Sequence, residues 1–298
     1  CEPVKYSKSP KILKNLEFSE YYYGYKYYYG YDEAEYEEDE NEDEDECEEE
    51  KGYKYLHFIK SKPEPESKPI TDLLFCGETL EPGDLPESLI NLTFDDNFNQ
   101  KIKPGVLPKS LVNLTFGYNF CQELDPGVLP ESLIYLKFGY RFNKKLVAGS
   151  LPQSLKTLIF ERLFNKELSN DVIPKNLENL TLGYDYTHIT NECILPASLK
   201  SFNLQSPFMY CKKLIVPKTI THLTINEIDF TREDIEKFQN LKHLKIINNE
   251  NFNIESGLFM DNIEKISFDN CNIINTITKE CLPKSLKYLI INKSTFKL

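Results

Sequence analysis

A solenoid of short parallel β-strands is the fold this sequence predicts, and three observations predict it. A Leu-Pro-x-Ser-Leu-x-x-Leu-x-Phe motif starts at Leu85, Leu107, Leu129 and Leu151, a strict period of 22 residues. A unit that short carries too few apolar groups to close a core of its own, so its hydrophobic edge must be buried against copies of itself. Within each unit the x-Leu-x-Phe stretch alternates as a strand with one buried face does.

The motif continues more weakly from Ile173 and Leu195. It then drifts to spacings of 21, 21, 22 and 23 through Ile220, Leu241, Ile263 and Leu286, counted at the residue that opens Leu-x-x-Leu. Fainter copies precede it at Leu13 to Phe18, Tyr53 to Phe58 and Ile70 to Phe75. The expected organisation is therefore an N-terminal region, 1–69, holding degenerate rungs, followed by a solenoid over 70–298 of ten to eleven rungs of 21–23 residues. The register predicts an inward ladder of Leu92, Leu114, Leu136, Leu158, Leu180, Phe202, Leu223, Leu244, Ile266 and Leu289. A second ladder runs Phe94, Phe116, Phe138, Phe160, Leu182, Leu204, Ile225, Ile246, Phe268 and Ile291, and an aromatic column runs Phe98, Phe120, Phe142, Phe164, Tyr186 and Phe208. Return segments carry Pro104-Gly105 and Pro126-Gly127 and then Leu-Pro, which suits turns over helix because proline withholds a donor. One short helix is expected near 231–238, where Thr231 precedes an acid at the capping-box spacing and apolar residues lie three apart.

Charge is unevenly spread. Of the formal −12, the segment Asp32 to Glu50 supplies 15 acidic side chains and no basic one, leaving 35 basic against 32 acidic residues elsewhere. Just before it, Tyr21 to Tyr31 holds eight tyrosines in eleven residues. Like-charge repulsion predicts a disordered Tyr-rich and acidic insertion over 20–51, read either as a flexible anionic arm for a basic partner or as a solubilising segment. Its sign is wrong for gripping phosphates, so no nucleic-acid partner is expected. No apolar run approaches membrane-spanning length and the first thirty residues lack the succession of an export signal, so neither a membrane partner nor secretion is expected. Eight cysteines without a C-x-x-C pair read as reduced thiols in the cytoplasm. With four histidines and no phosphate loop, nucleophile elbow or zinc-protease motif, the chain is expected to be no enzyme and to hold no cofactor and no metal.

Binding is the remaining class, and the strand residues that point away from the core are its candidates. The third rung position places Asn91, Asn113, Tyr135, His222 and His243 on that face, and Tyr118, Tyr140 and Tyr184 follow glycines 117, 139 and 183 at the strand exits. Tyrosine combines an apolar body with a polar tip and suits an interface. Ladders of Asn and Thr also bond one another, so the same residues are compatible with a plain solvated sheet. His222 and His243 share one position in adjacent rungs, about 5 Å apart, and read as a polar surface pair.

Leu-x-x-Leu-x-Phe on a parallel ladder resembles leucine-rich repeats. The narrower likeness is carried by Phe98-Asn99-Gln100 and Phe142-Asn143, followed by Gly-Val-Leu-Pro at Gly105 to Pro108 and Gly127 to Pro130, which resemble the FNIP repeat of social amoebae and amoeba-infecting giant viruses. It is strongest from Leu85 to about Leu204. It departs at Cys121 and at Tyr186-Thr187, and the later rungs resemble ordinary leucine-rich repeats. The resemblance implies a leucine-rich-repeat-like solenoid and a non-catalytic scaffold for protein partners, in host cytoplasm or virion if the source is viral. Two other roles are compatible with it: a structural component of a viral particle or assembly, self-associating through solenoid ends, and the substrate-recognition part of a ubiquitin ligase if an F-box lies upstream.

Overall fold

The computed structural model of the chain describes residues 69–77, 79–188, 195–207, 215–226, 232–249, 252–274 and 277–297, all within the unit Tyr55–Leu298. The expected rungs at Leu13 and Tyr53, the insertion at 20–51, Phe208 and Thr231 lie outside the described residues. Eleven short strands pair in parallel and in chain order. They are β1 (Asp72–Phe75), β2 (Asn91–Phe94), β3 (Asn113–Thr115), β4 (Tyr135–Lys137), β5 (Thr157–Ile159), β6 (Asn179–Leu182), β7 (Ser201–Pro207), β8 (His222–Asn226), β9 (His243–Ile247), β10 (Lys265–Asp269) and β11 (Tyr288–Ile291). The register follows the sequence period: Leu92 pairs Leu114, Leu114 pairs Leu136, and so on through Leu158 and Leu180 to Phe202. The fold is a parallel-strand solenoid with almost no helix, α1 (Arg232–Glu236) being five residues long.

Alternation puts every second side chain inside. Both inward ladders are buried except at β11, where Ile291 is only partly covered. The phenylalanines form two adjoining columns. Phe94, Phe116, Phe138 and Phe160 stack at centroid distances of 5.3, 5.6 and 5.2 Å, and Phe98, Phe120, Phe142, Phe164 and Tyr186 at 6.2, 6.1, 5.9 and 5.9 Å. Within a rung the two columns lock together, Phe116 on Phe120 and Phe138 on Phe142 at 3.8 Å. Each ring therefore gains its contacts from its own rung and the two beside it, which is why a single unit has nothing to fold around.

Three sets of hydrogen bonds explain the polar letters of the motif. The serine of Leu-Pro-x-Ser donates to a carbonyl of the previous rung: Ser110 to Leu89, Ser132 to Leu111 and Ser154 to Leu133, at 2.6–2.7 Å. The asparagine of Phe-Asn accepts a backbone N–H from the next rung: Asn99 from Cys121, Asn143 from Asn165, Asn165 from Thr187, at 2.9–3.0 Å. After β8 a different asparagine takes over, Asn270 donating to Asn248 at 2.8 Å and Asn248 to Asn226 at 3.0 Å. Asn248, Asn270 and Asn292 all have positive φ, a conformation asparagine tolerates better than most residues. The change of ladder is the structural counterpart of the change in repeat character after Leu204.

Glycine serves two separate needs. At Gly105 and Gly127 φ is +84° and +81°, as the third residue of a Pro-Gly type II turn demands, and the turn is closed by the N–H of Val106 on the Lys103 carbonyl and of Val128 on that of Asp125. At Gly117, Gly139 and Gly183 the need is space: a Cβ there would lie 1.8–1.9 Å from a carbonyl oxygen of the preceding rung. After β11 comes an element the repeat does not contain. Asn292 and Lys293, with φ of 44° and 74°, form a two-residue turn that leads into β12 (Ser294–Lys297), antiparallel to β11. Phe296 is the register partner of the inward Leu289 and is 49% exposed.

Candidate functional site

The outward face of the sheet and the ridge at the strand exits carry all of the residues singled out from the sequence. Tyr118 and Tyr140 stand one rung apart on that ridge, their rings stacked 4.7 Å apart at 11°. Counting one more period reaches Arg162, whose guanidinium lies 6.0 Å from the Tyr140 ring centre and 5.2 Å from that of Tyr184. Arg141 lies 5.7 Å over Tyr118. The ridge is thus a column of Tyr, Tyr, Arg and Tyr joined by stacking and cation–π contacts. Tyr118 and Tyr184 are each 36% exposed. The glycines at 117, 139 and 183 let adjacent backbones approach so closely that the column can form. Arg162 and Arg141 are not among the candidates the sequence motif offers, although the period alone places Arg162 in the tyrosine column.

The third-position residues divide by role. Asn91 donates to the Asp72 carboxylate and accepts from Asn113, so both amides are engaged in a ladder along the N-terminal rungs. Asn179 likewise donates to Thr157 at 3.0 Å. Tyr135, between them, is half-buried, and burial pushes its phenol above the usual value despite the nearby Lys137 ammonium. Lys137 reaches across to Glu161 at 2.8 Å. Sequence cannot separate an amide that bonds its neighbour from one that is displayed, because both readings need the same residue at the same spacing.

The C-terminal rungs differ in charge. His222 and His243 meet edge to face with ring centres 4.2 Å apart, and Lys265 is the next residue in that column. Burial holds both imidazoles below the ordinary 6.5, with Lys265 adding to the effect on each and His222 on His243. The Thr221 hydroxyl lies 2.9 Å from His222 Nδ1. Beside this column the second rung position alternates in sign. Glu178 bridges Lys156 and Lys200 at 3.2 and 2.6 Å, and Glu264 bridges Lys242 and Lys287 at the same two distances. The paired ammoniums hold both glutamates below the usual carboxylate range. At the corresponding position nearer the N-terminus stand Ile90 and Ile134, both exposed. Among the described residues no group of three or more His, Cys, Asp or Glu could hold a metal ion, and no helix is long and apolar enough to cross a membrane.

Three stretches, residues 78–119, 118–162 and 164–207, match the FNIP Repeat family. Among solved structures the chain is similar to CroV588, from the giant virus CroV, described as a novel circular LRR protein structure. The sequence identity is 32%, the TM-score 0.58, and 74% of this chain is covered. The match takes in 36% of that protein, so the chain spans about a third of its relative's length. No curated protein matches.

Proposed function

From the premise that this chain is an FNIP repeat-containing protein with a leucine-rich-repeat-like solenoid, we propose that it is a non-catalytic scaffold that holds a protein partner against the outward face of its sheet. The observation that carries this reading is the Tyr118, Tyr140, Arg162, Tyr184 column. Tyrosine and arginine are the side chains that most often dominate interface energetics. Here the Tyr118 and Tyr140 rings are held by each other before any partner arrives, so little rotamer entropy remains to be lost on binding. The hydrogen-bonded Asn and Ser ladders keep the rungs in register behind them, giving the column a rigid base.

The test is a paired replacement, Tyr118→Ser with Tyr140→Ser, assayed by cross-linking of partners in the native source. Loss of the partners bound by the parent chain, with an unchanged melting temperature, supports the reading. Recovery of every partner by the folded double variant refutes it.

A further inference from the structure

Resting on the reading of the strand face as the binding surface, we infer that its C-terminal end is a docking site for an acidic peptide segment, held by Lys265, Lys242 and Lys287 and gripped more tightly when His222 and His243 are protonated. His222, His243 and Lys265 are register partners on β8, β9 and β10, so their side chains leave the sheet as one column. Among the described residues Lys265 has no ion-pair partner, and Lys242 and Lys287 share the single carboxylate of Glu264. Lys245 is matched by Asp269 at 2.7 Å. The patch therefore carries four ammoniums against two carboxylates with neutral imidazoles, and two further positive charges when both imidazoles are protonated. The opposite end of the same face begins with Asp72, and Asp95 and Asp96 stand at the strand exit beside it with their carboxylates on the Phe98 and Tyr118 N–H groups, so the surface is polarised along the solenoid and its C-terminal end is the one that attracts anions.

The arrangement favours a peptide over a phosphate backbone. Glu264 and Asp269 stand among the lysines, and a strand with a charge on every nucleotide would press phosphates against them. A peptide can place its carboxylates over Lys265 and the imidazoles and leave the intervening positions neutral. The charged groups around the histidines are Lys265 on β10, Lys242 and Lys245 around β9, Glu264 and Asp269 at either end of β10, Lys287 before β11, and the Lys200–Glu178 pair before β7. Of these, Lys265 disfavours protonation of both imidazoles and Glu264 favours that of His243. A bound carboxylate supplies the missing countercharge, so binding and protonation must assist each other reciprocally.

The probe is deca-aspartate, whose carboxyls near 3.9 remain ionised throughout the range used, titrated into the full chain at pH 7.5 and pH 5.5. Imidazole NMR signals report the contact, and only four histidines contribute. Expected are shifts of the His222 and His243 signals and binding about tenfold tighter at the lower pH, two exposed ion pairs' worth. His222→Asn with His243→Asn should abolish the pH gain, and Lys265→Met should weaken binding severalfold at both pH values. The inference is overturned if deca-aspartate leaves both signals unmoved, or if the pH gain survives in the double variant. Tighter binding by decathymidylate or by phosphatidylglycerol vesicles through the same residues also overturns it. Failure here, with partner capture through Tyr118 and Tyr140 intact, refutes only the acidic-peptide site; failure of both refutes the strand-face reading itself.

Discussion

Removing stacked rings in pairs measures how the solenoid is held together. Phe142 is buried, lies 3.8 Å from Phe138 in its own rung, and stacks on Phe120 at 6.1 Å and on Phe164 at 5.9 Å. Full truncation, Phe142→Ala, is expected to cost about 3–5 kcal/mol. That is a large share of a typical domain stability of about 5–15 kcal/mol, so the gentler Phe→Leu is the better probe. It keeps most of the apolar volume, loses the ring face, and is expected to cost about 1–2 kcal/mol. Phe142→Leu and Phe164→Leu remove opposite sides of one stack, so the double variant should show a coupling energy of about 0.5–1.5 kcal/mol. Phe98→Leu and Phe164→Leu are separated by the rings of Phe120 and Phe142, and their costs should add to within about 0.5 kcal/mol. Equilibrium urea unfolding at constant m-value provides the energies. Coupling as large for the distant pair as for the adjacent pair would refute nearest-neighbour stacking as the source of stability.

Glycine replacement should distinguish the two kinds of glycine. Gly139→Ala must displace a backbone carbonyl 1.8 Å from the new Cβ and is expected to cost about 3 kcal/mol by urea unfolding, whereas Gly105→Ala, with open space but positive φ, should cost about 1 kcal/mol. Lys293→Gly, which relieves a positive φ in the closing turn, should raise stability by about 1 kcal/mol in the same assay. The histidine pair gives a pH dependence of known sign. Folding lowers both imidazole pKa values below 6.5, so the unfolded chain binds more protons and stability falls as pH drops from about 7 through that window, levelling off once the folded-state pKa values are passed. Thermal melts of the parent chain should show this loss, and His222→Asn with His243→Asn should flatten it.

The buried half of the fold is legible in the sequence because it repeats. Leu92, Phe94 and Phe98 recur at one period, so reading one rung's inward positions reads them all, and the five rings from Phe98 to Tyr186 stand in one column as that period requires. The exposed half is less legible because its chemistry depends on neighbours across rungs. Glu178 means little beside Asn179 in the chain, but it becomes a bridge once Lys156 and Lys200 flank it at the rung spacing. Arg162 breaks a column of tyrosines by identity, and only its place between two ring faces makes it part of the same ridge. The β12 hairpin was hidden for another reason: Asn-Lys lacks the glycine that usually announces a two-residue turn with positive φ at both positions.

Carboxyl and tyrosyl footprinting of the chain alone and with a partner captured from its native source tests the strand face most directly. Protection of Tyr118, Tyr135, Tyr140 and Tyr184 on binding, with Asp171 and Glu280 on the return segments unchanged, is the expected result. Protection confined to those return-segment carboxylates, with the tyrosines as reactive as in the free chain, would contradict it.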